Sequence, residues 1–368
     1  MSAARNPLGK LLEEGVTQGV YTAAVALVGL KGEQCWQGAA GRVSRDPEAP
    51  AATVATVFDL ASFTKPLATA LALLRLLALG QLTLDTTLGE VLSCDWLPPD
   101  KKPLTLLSLL THRAGLPDWR PFYQKILAAP PQERPGLLER LAAAEPLEAH
   151  GETLYSDLGF MLLQAVVEEV AGEDLDSFCR REIYRPLGLA VLGFNPLKRP
   201  GGDALTFAAT ETGLIPGRPV CGEVHDENAW AAGGVAGHAG LFGTAQEVFT
   251  LLAALYAAYH GAAGLFPPDL ARLFLTPVSG GSRTPGFDIP GPDAASGAAG
   301  RYFSPQSAGH LGFTGVSFWL DLKLGQMVVL LTNRVHLGRD DKAKIQAFRP
   351  RFHEAASRAL GFSQIFRD

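Results

Sequence analysis

The stretch FDLASFTKPLATALALLRLLALGQL, residues 58 to 82, decides how this chain is read. Its second half is almost continuously apolar, yet its first turn carries Ser62 and, three positions on, Lys65. Pro66 is tolerated in a helix only within the first turn, where its missing N–H had no intrahelical partner, so the helix is expected to begin near Ser62. It is expected to run to Leu79 and to stop at Gly80, which suits the left-handed position beyond a helix end. Positions i and i+3 share a helix face, so the Ser62 hydroxyl and the Lys65 ammonium can touch. A serine is a poor nucleophile until its proton is taken. A lysine whose pKa is lowered by burial and by the positive end of the helix dipole can take it. The plain alternative is that Ser62 caps the helix and Lys65 is a solvated first-turn side chain.

Outward from this helix, residues 8–16 read as a short amphipathic helix, and 21–30 and 33–43 as two strands joined by the Lys31-Gly32 turn. Residues 86–190 read as helical, with segments at 105–113, 135–144, 158–172 and 177–184. Residues 192–244 and 279–300 are rich in Gly and Pro and are expected to be long surface loops around a helix at 246–259. Strand signals return at 312–322 and 326–333, and a last helix is expected near 348–360. Strands at both ends and helices between them imply an α/β (α+β) fold: an antiparallel sheet built from both chain ends, flanked by helices, with an all-α insertion. One catalytic unit of 368 residues is expected, with 1–85 and 190–368 forming the sheet region and 86–189 the helical region.

The chain is 47% hydrophobic, enough for a large core, and 32 basic against 37 acidic residues leave a net charge of −5 with no basic stripe. Nucleic acid is not an expected partner. The first residues lack the apolar h-region of a signal peptide, which implies a cytoplasmic protein, and no window reaches the roughly 18 to 20 uninterrupted apolar residues of a membrane span. Cys35, Cys94, Cys179 and Cys221 form no CxxC pair and are expected to be buried, reduced thiols.

Four further stretches accompany the S-x-x-K of Ser62 and Lys65, a pairing that marks β-lactamases and penicillin-binding proteins. LLSLLTHRAGLPDW (106–119) resembles the leucine-rich helix and turn of the class C branch of these serine hydrolases, and YSDLGF (155–160) resembles the family's Y-x-N motif. GHLGFTG (309–315) stands where the family has K-T-G or H-x-G, and GGVAGHAGLFGTAQEV (233–248) resembles a segment of class C-like relatives. The matches come in the family's order and span roughly residues 20 to 335.

The resemblance implies a β-lactamase/transpeptidase-like fold, with Ser62 as nucleophile, Lys65 as its proton acceptor and Tyr155 as a proton shuttle whose pKa a nearby cation would lower. Without that context Tyr155 is an ordinary half-buried aromatic. The implied oxyanion donors are the backbone N–H groups of Ser62 and Phe313, and Gly312 would let substrate lie along the strand edge. Two positions depart from the pattern. His310 replaces the cationic residue of K-T-G; an imidazole of ordinary pKa is mostly neutral at pH 7, so carboxylate recognition should be weak. Its alternative is a hydrogen-bonded histidine at a strand start. Asp157 stands where asparagine is usual: a carboxylate cannot donate to a substrate carbonyl but can pair with Lys65 and raise its pKa, or simply cap a helix starting at Leu158.

His225, Asp226, Glu227 and His238 match no hydrolytic zinc spacing and read as polar loop anchors; His112 reads as a C-terminal cap. No metal and no cofactor is implied. The expected function is a metal-free serine hydrolase forming an acyl-enzyme on Ser62, an esterase or amidase on a small neutral acyl substrate. A β-lactamase or D-amino-acid peptidase is the alternative within the fold, and a non-catalytic binding module, kept open by Asp157, the alternative outside catalysis. The expected partner is a small-molecule ester, amide or β-lactam; oligomeric state is not legible.

Overall fold

A computed structural model describes residues 7–148, 152–215, 218–278, 283–291 and 297–363. Its centre is a five-stranded antiparallel sheet drawn from both chain ends, in the order Glu33–Gly41, Ala23–Leu30, Gln326–Thr332, Ser317–Asp321, Ser307–Leu311. Leu27 lies opposite Val329 and Ala26 opposite Leu330. Ala23–Leu30 and Gln326–Thr332 are buried along almost their whole length because both faces are covered. Val25 and Leu27 join the helical core of Leu67, Leu71 and Phe249, while Ala24, Ala26 and Val28 meet Leu8, Leu12, Phe348 and Phe352 of the two terminal helices, Pro7–Thr17 and Ala343–Ala359.

The helical insertion is present as expected. Its main helix, Asp157–Ala171, packs on Leu71–Ala78 and ends at Gly172, whose φ of 67° suits a residue without a Cβ. The chain around Ser62 departs from a regular helix. A 3-10 turn, Ala61–Phe63, is followed by a π-helical segment, Lys65–Ala70, and only then by α-helix Leu71–Ala78. Pro66 removes one N–H from the ladder, and π-helical turns are common at functional sites. Contrary to expectation, this 18-residue run, Ala61–Ala78, is long and apolar enough by composition to cross a membrane; here 72% of it is buried inside the protein, as its core helix.

Three further expectations change. Residues 312–322 are not one strand: Ser307–Leu311 and Ser317–Asp321 pair across a tight turn in which Gly312 N–H donates to Val316 at 2.8 Å and Gly315 takes φ 115°. The Ser-Ala-Gly start of the first of these strands carries little β signal, so the sequence concealed it. Residues 192–244 are more than loop, because Leu241–Gly243 pairs with both Phe58–Asp59 and Gly193–Phe194, tying the glycine-rich segment to the chain entering Ser62. All four cysteines are free thiols, but of them only Cys179 is buried: Cys94 and Cys221 are half-buried and Cys35 is exposed.

Candidate active site

Ser62 is delivered by strain. Ala61 holds φ 47°, a left-handed conformation costly for a residue with a Cβ. It is held from three sides. The Asp59 carboxylate accepts from Ala61 N at 2.8 Å, Thr64 Oγ1 donates to Ala61 O at 2.7 Å, and the same Thr64 oxygen accepts from Leu241 N at 3.1 Å. Ser62 itself caps nothing, contrary to the plain reading, and is left at the mouth of a cavity of about 400 Å³ whose lining includes Tyr155, Asp157, Trp119, His225 and Phe313.

Lys65 is fully buried, so it is not the solvated side chain of the plain alternative. Its Nζ donates to Ser62 Oγ at 3.1 Å and to the His238 carbonyl at 3.2 Å, and it lies 2.6 Å from Asp157 Oδ1 in an ion pair. Burial alone would lower the lysine's pKa, but Asp157 and then Tyr155 oppose it and leave it raised. The resting lysine is therefore a cation, not the free amine the sequence reading required. Asp157 does not cap its helix either. Ser156 does so, accepting from Gly159 N at 3.3 Å, and Asp157 as the first helical residue is turned toward Lys65.

Tyr155 is held by rings. His112, at φ 57° in the turn after Leu106–Leu110, lies 4.5 Å from it centroid to centroid, and the Arg283 guanidinium lies over its ring at 5.1 Å. His112 Nδ1 accepts from Ser156 N at 2.9 Å, and burial, Arg283 and Lys65 hold its pKa well below the usual value. It is thus a neutral spacer for Tyr155 as well as a helix-end residue. The phenol stands within hydrogen-bonding influence of Lys65 and Ser62; Lys65 pulls its pKa down as anticipated, but burial is the larger effect and the net shift is upward. Tyr155 is a proton donor in the resting site, not a phenolate.

His310 lies at the centre of the assembly, paired with Phe318 in strand Ser307–Leu311 rather than at a strand start, with its ring 6.2 Å from that of Tyr155. Its Nδ1–H donates to the Leu311 carbonyl at 2.8 Å, which assigns the tautomer, because a carbonyl can only accept. Nε2 is then a buried acceptor with no hydrogen-bond partner among the described residues. Burial lowers its pKa to about 4, against an opposing effect from Asp288, so it carries no charge at neutral pH.

The oxyanion geometry is built on the Gly312–Val316 turn. Neither Ser62 N–H nor Phe313 N–H bonds to an acceptor among the described residues, and both residues line the cavity. Thr314 Oγ1 donates to Asp59 O at 2.9 Å, joining this turn to the strand that leads into Ser62. Gly312 is required by packing: a Cβ there would meet Val316 Cγ2 at 2.3 Å and Leu60 O at 3.0 Å.

Two supports escaped the sequence reading. Asp59 is fully buried and holds both Ala61 and His225, whose N–H reaches Asp59 Oδ2 at 2.7 Å. Arg349, on the last helix, donates through one nitrogen to Gly312 O and Val316 O, each at 2.8 Å. No motif marks either residue. The other expected anchors are held by side-chain pairs: His225 with Glu211 at 2.8 Å, His238 with Asp226 at 3.0 Å, and Glu227 with the Arg339 guanidinium at 2.8 Å. Among the described residues no cluster has the arrangement of metal ligands.

Known proteins share this sequence pattern and fold. A family model described as Beta-lactamase matches residues 8–349. A putative D-alanyl-D-alanine carboxypeptidase of Escherichia coli O157:H7 is 33% identical over 308 residues, covering 77% of this chain and 70% of the relative. An N-acetylmuramyl-L-alanine amidase of Bacillus subtilis (strain 168) is 34% identical over 305 residues, covering 76% and 68%. Among solved structures, EstCE1, a hydrolase with promiscuous acyltransferase activity, shares the fold at TM-score 0.68 and 23% identity over 93% of this chain and 97% of its own. The octameric penicillin-binding protein homologue from Pyrococcus abyssi shares it at TM-score 0.71 and 19% identity over 99% and 78%.

Proposed function

The chain belongs to the beta-lactamase family of serine hydrolases, and from that premise we propose that it cleaves esters or amides of small neutral acyl groups through an acyl-enzyme on Ser62. The observation that carries the proposal is the 3.1 Å contact between Lys65 Nζ and Ser62 Oγ at the mouth of the cavity. In this reading Ser62 Oγ attacks the substrate carbonyl, and the oxyanion is received by the N–H groups of Ser62 and Phe313. Lys65 must shed a proton before it can accept the one from Ser62, and Asp157 Oδ1, at 2.6 Å, is the acceptor in contact. The two groups then titrate as a pair, and expulsion of water by substrate favours the neutral form of both. Tyr155, protonated at rest, gives its proton to the leaving group. A neutral His310 offers no cation to a substrate carboxylate, which supports a neutral substrate.

A second reading is a peptidase on D-amino-acid substrates, as the names of the relatives suggest. One feature favours it: Lys342 lines both the main cavity and the smaller one beyond Phe313, its Nζ 5.0 Å from the Phe313 ring, and can supply the charge that His310 does not.

A fluorophosphonate probe tests the main proposal. Labelling is expected in the parent protein and absent from Ser62→Ala; labelling that survives the substitution overturns it. Comparing nitrophenyl esters with D-alanyl-D-alanine peptides separates the two readings.

A further inference from the structure

Beside the main cavity lies a smaller recess of about 240 Å³ walled by Tyr123, Leu127, Val220, Val224 and Trp230. His225 and Glu227 line both spaces, so the recess continues the cleft that contains Ser62. Trp230 and Leu127 are 46% and 41% exposed, two large apolar side chains facing water at one spot. An apolar cavity of ~150 Å³ holds benzene, so this recess has room for an aryl ring or an alkyl chain of several carbons.

The walls are fixed in advance. The Asn228 side chain accepts from Tyr123 N at 2.8 Å and donates to Arg120 O at 2.8 Å, locking helix Phe122–Ala128 onto helix Glu227–Ala231. His225 is held by Asp59 and Glu211 and stacks on Phe313 at 5.7 Å, so its ring is a set partition between the recess and the oxyanion turn. Glu223 and Glu227 also line the recess, Glu227 in an ion pair with Arg339 at 2.8 Å.

We propose that this recess is the subsite for an uncharged apolar group, alkyl or aryl, of the substrate attacked at Ser62, with Trp230 and Leu127 setting the preference. The proposal rests on the reading of Ser62 as nucleophile. The occupant is either the acyl chain or the leaving group, and two substrate series separate them: p-nitrophenyl esters from acetate to octanoate, and acetates of methanol to octanol. Both are measured on the full chain and on Trp230→Ala and Leu127→Asp, exposed positions where folding is safe. One series is expected to show kcat/KM rising with chain length, and both variants to lose about tenfold on its longest member while staying within about twofold on its shortest. Flat length dependence in both series, or equal losses on short and long esters, overturns the proposal. Binding of octyl acetate to Ser62→Ala protein, followed by saturation-transfer NMR, reads the recess without turnover. Its loss in the Ser62→Ala, Leu127→Asp double variant supports the subsite; its absence from Ser62→Ala alone, or its persistence in the double variant, overturns it. Fluorophosphonate labelling reports on the nucleophile separately, so failure of one reading is distinguishable from failure of the other.

Discussion

Lys65 is paired with Asp157 at 2.6 Å while its intended partner, Ser62 Oγ, stands at 3.1 Å. The same ammonium thus faces a carboxylate that keeps it protonated and a hydroxyl whose proton the proposed mechanism has it take. Burial drives the lysine toward its neutral form, and Asp157 is the largest influence against that. In the proposed mechanism the pair therefore sets the pH at which the nucleophile becomes available.

Asp157→Asn keeps the shape and removes the charge. The lysine's pKa is then expected to fall, and the acid limb of the kcat/KM profile to move to lower pH. At pH 7 the rate should rise roughly tenfold for each unit of that shift, until the amine is fully neutral. The check is a pH–rate profile of both proteins on one nitrophenyl ester; coincident acid limbs would rule Asp157 out as the controlling group.

Arg349 holds the turn that presents Phe313 N–H, through its bonds to Gly312 O and Val316 O. Arg349→Ala is expected to lower kcat by roughly 10- to 100-fold, short of the full loss of an oxyanion donor, with KM little changed. Arg349→Lys should recover part of it. Affinity for a boronic acid transition-state analogue should weaken in step with kcat, which a general loss of stability would not produce.

His310 links stability to acid. Its folded-state pKa is about 4 against about 6.5 unfolded, so between those values the unfolded chain binds more protons and stability rises with pH. As pH falls from about 6.5 to 4, this residue withdraws about 3 kcal/mol. Urea unfolding of His310→Gln should show a flatter acid limb by about that amount.

Glu139 acts with the opposite sign. Burial, aided by Glu168, raises its pKa to about 7 from 4.5, so the unfolded chain loses its proton first and stability declines as pH rises from about 4.5 to 7. Glu139→Gln should therefore be more stable than the parent at pH 8, by up to about 3 kcal/mol, with the advantage absent near pH 4. Thermal unfolding at both pH values checks it.

The sequence by itself determined the parts whose information is local. Helix spacing placed Lys65 beside Ser62, the apolar strand runs at both ends announced a shared sheet, and Tyr155, His310 and Asp157 were found by their motifs. Only the tertiary structure decided the electrical state of the site, because burial and cross-chain distance set it. Asp157 is 92 positions from Lys65 and could have capped a helix, yet it meets the ammonium; Tyr155 lies near a cation, yet its depth outweighs that cation's effect. The supports were hidden for the same reason. Asp59 holds His225, and Arg349 holds the Gly312–Val316 turn, through hydrogen bonds between distant segments, and such bonds leave no period, spacing or composition to read.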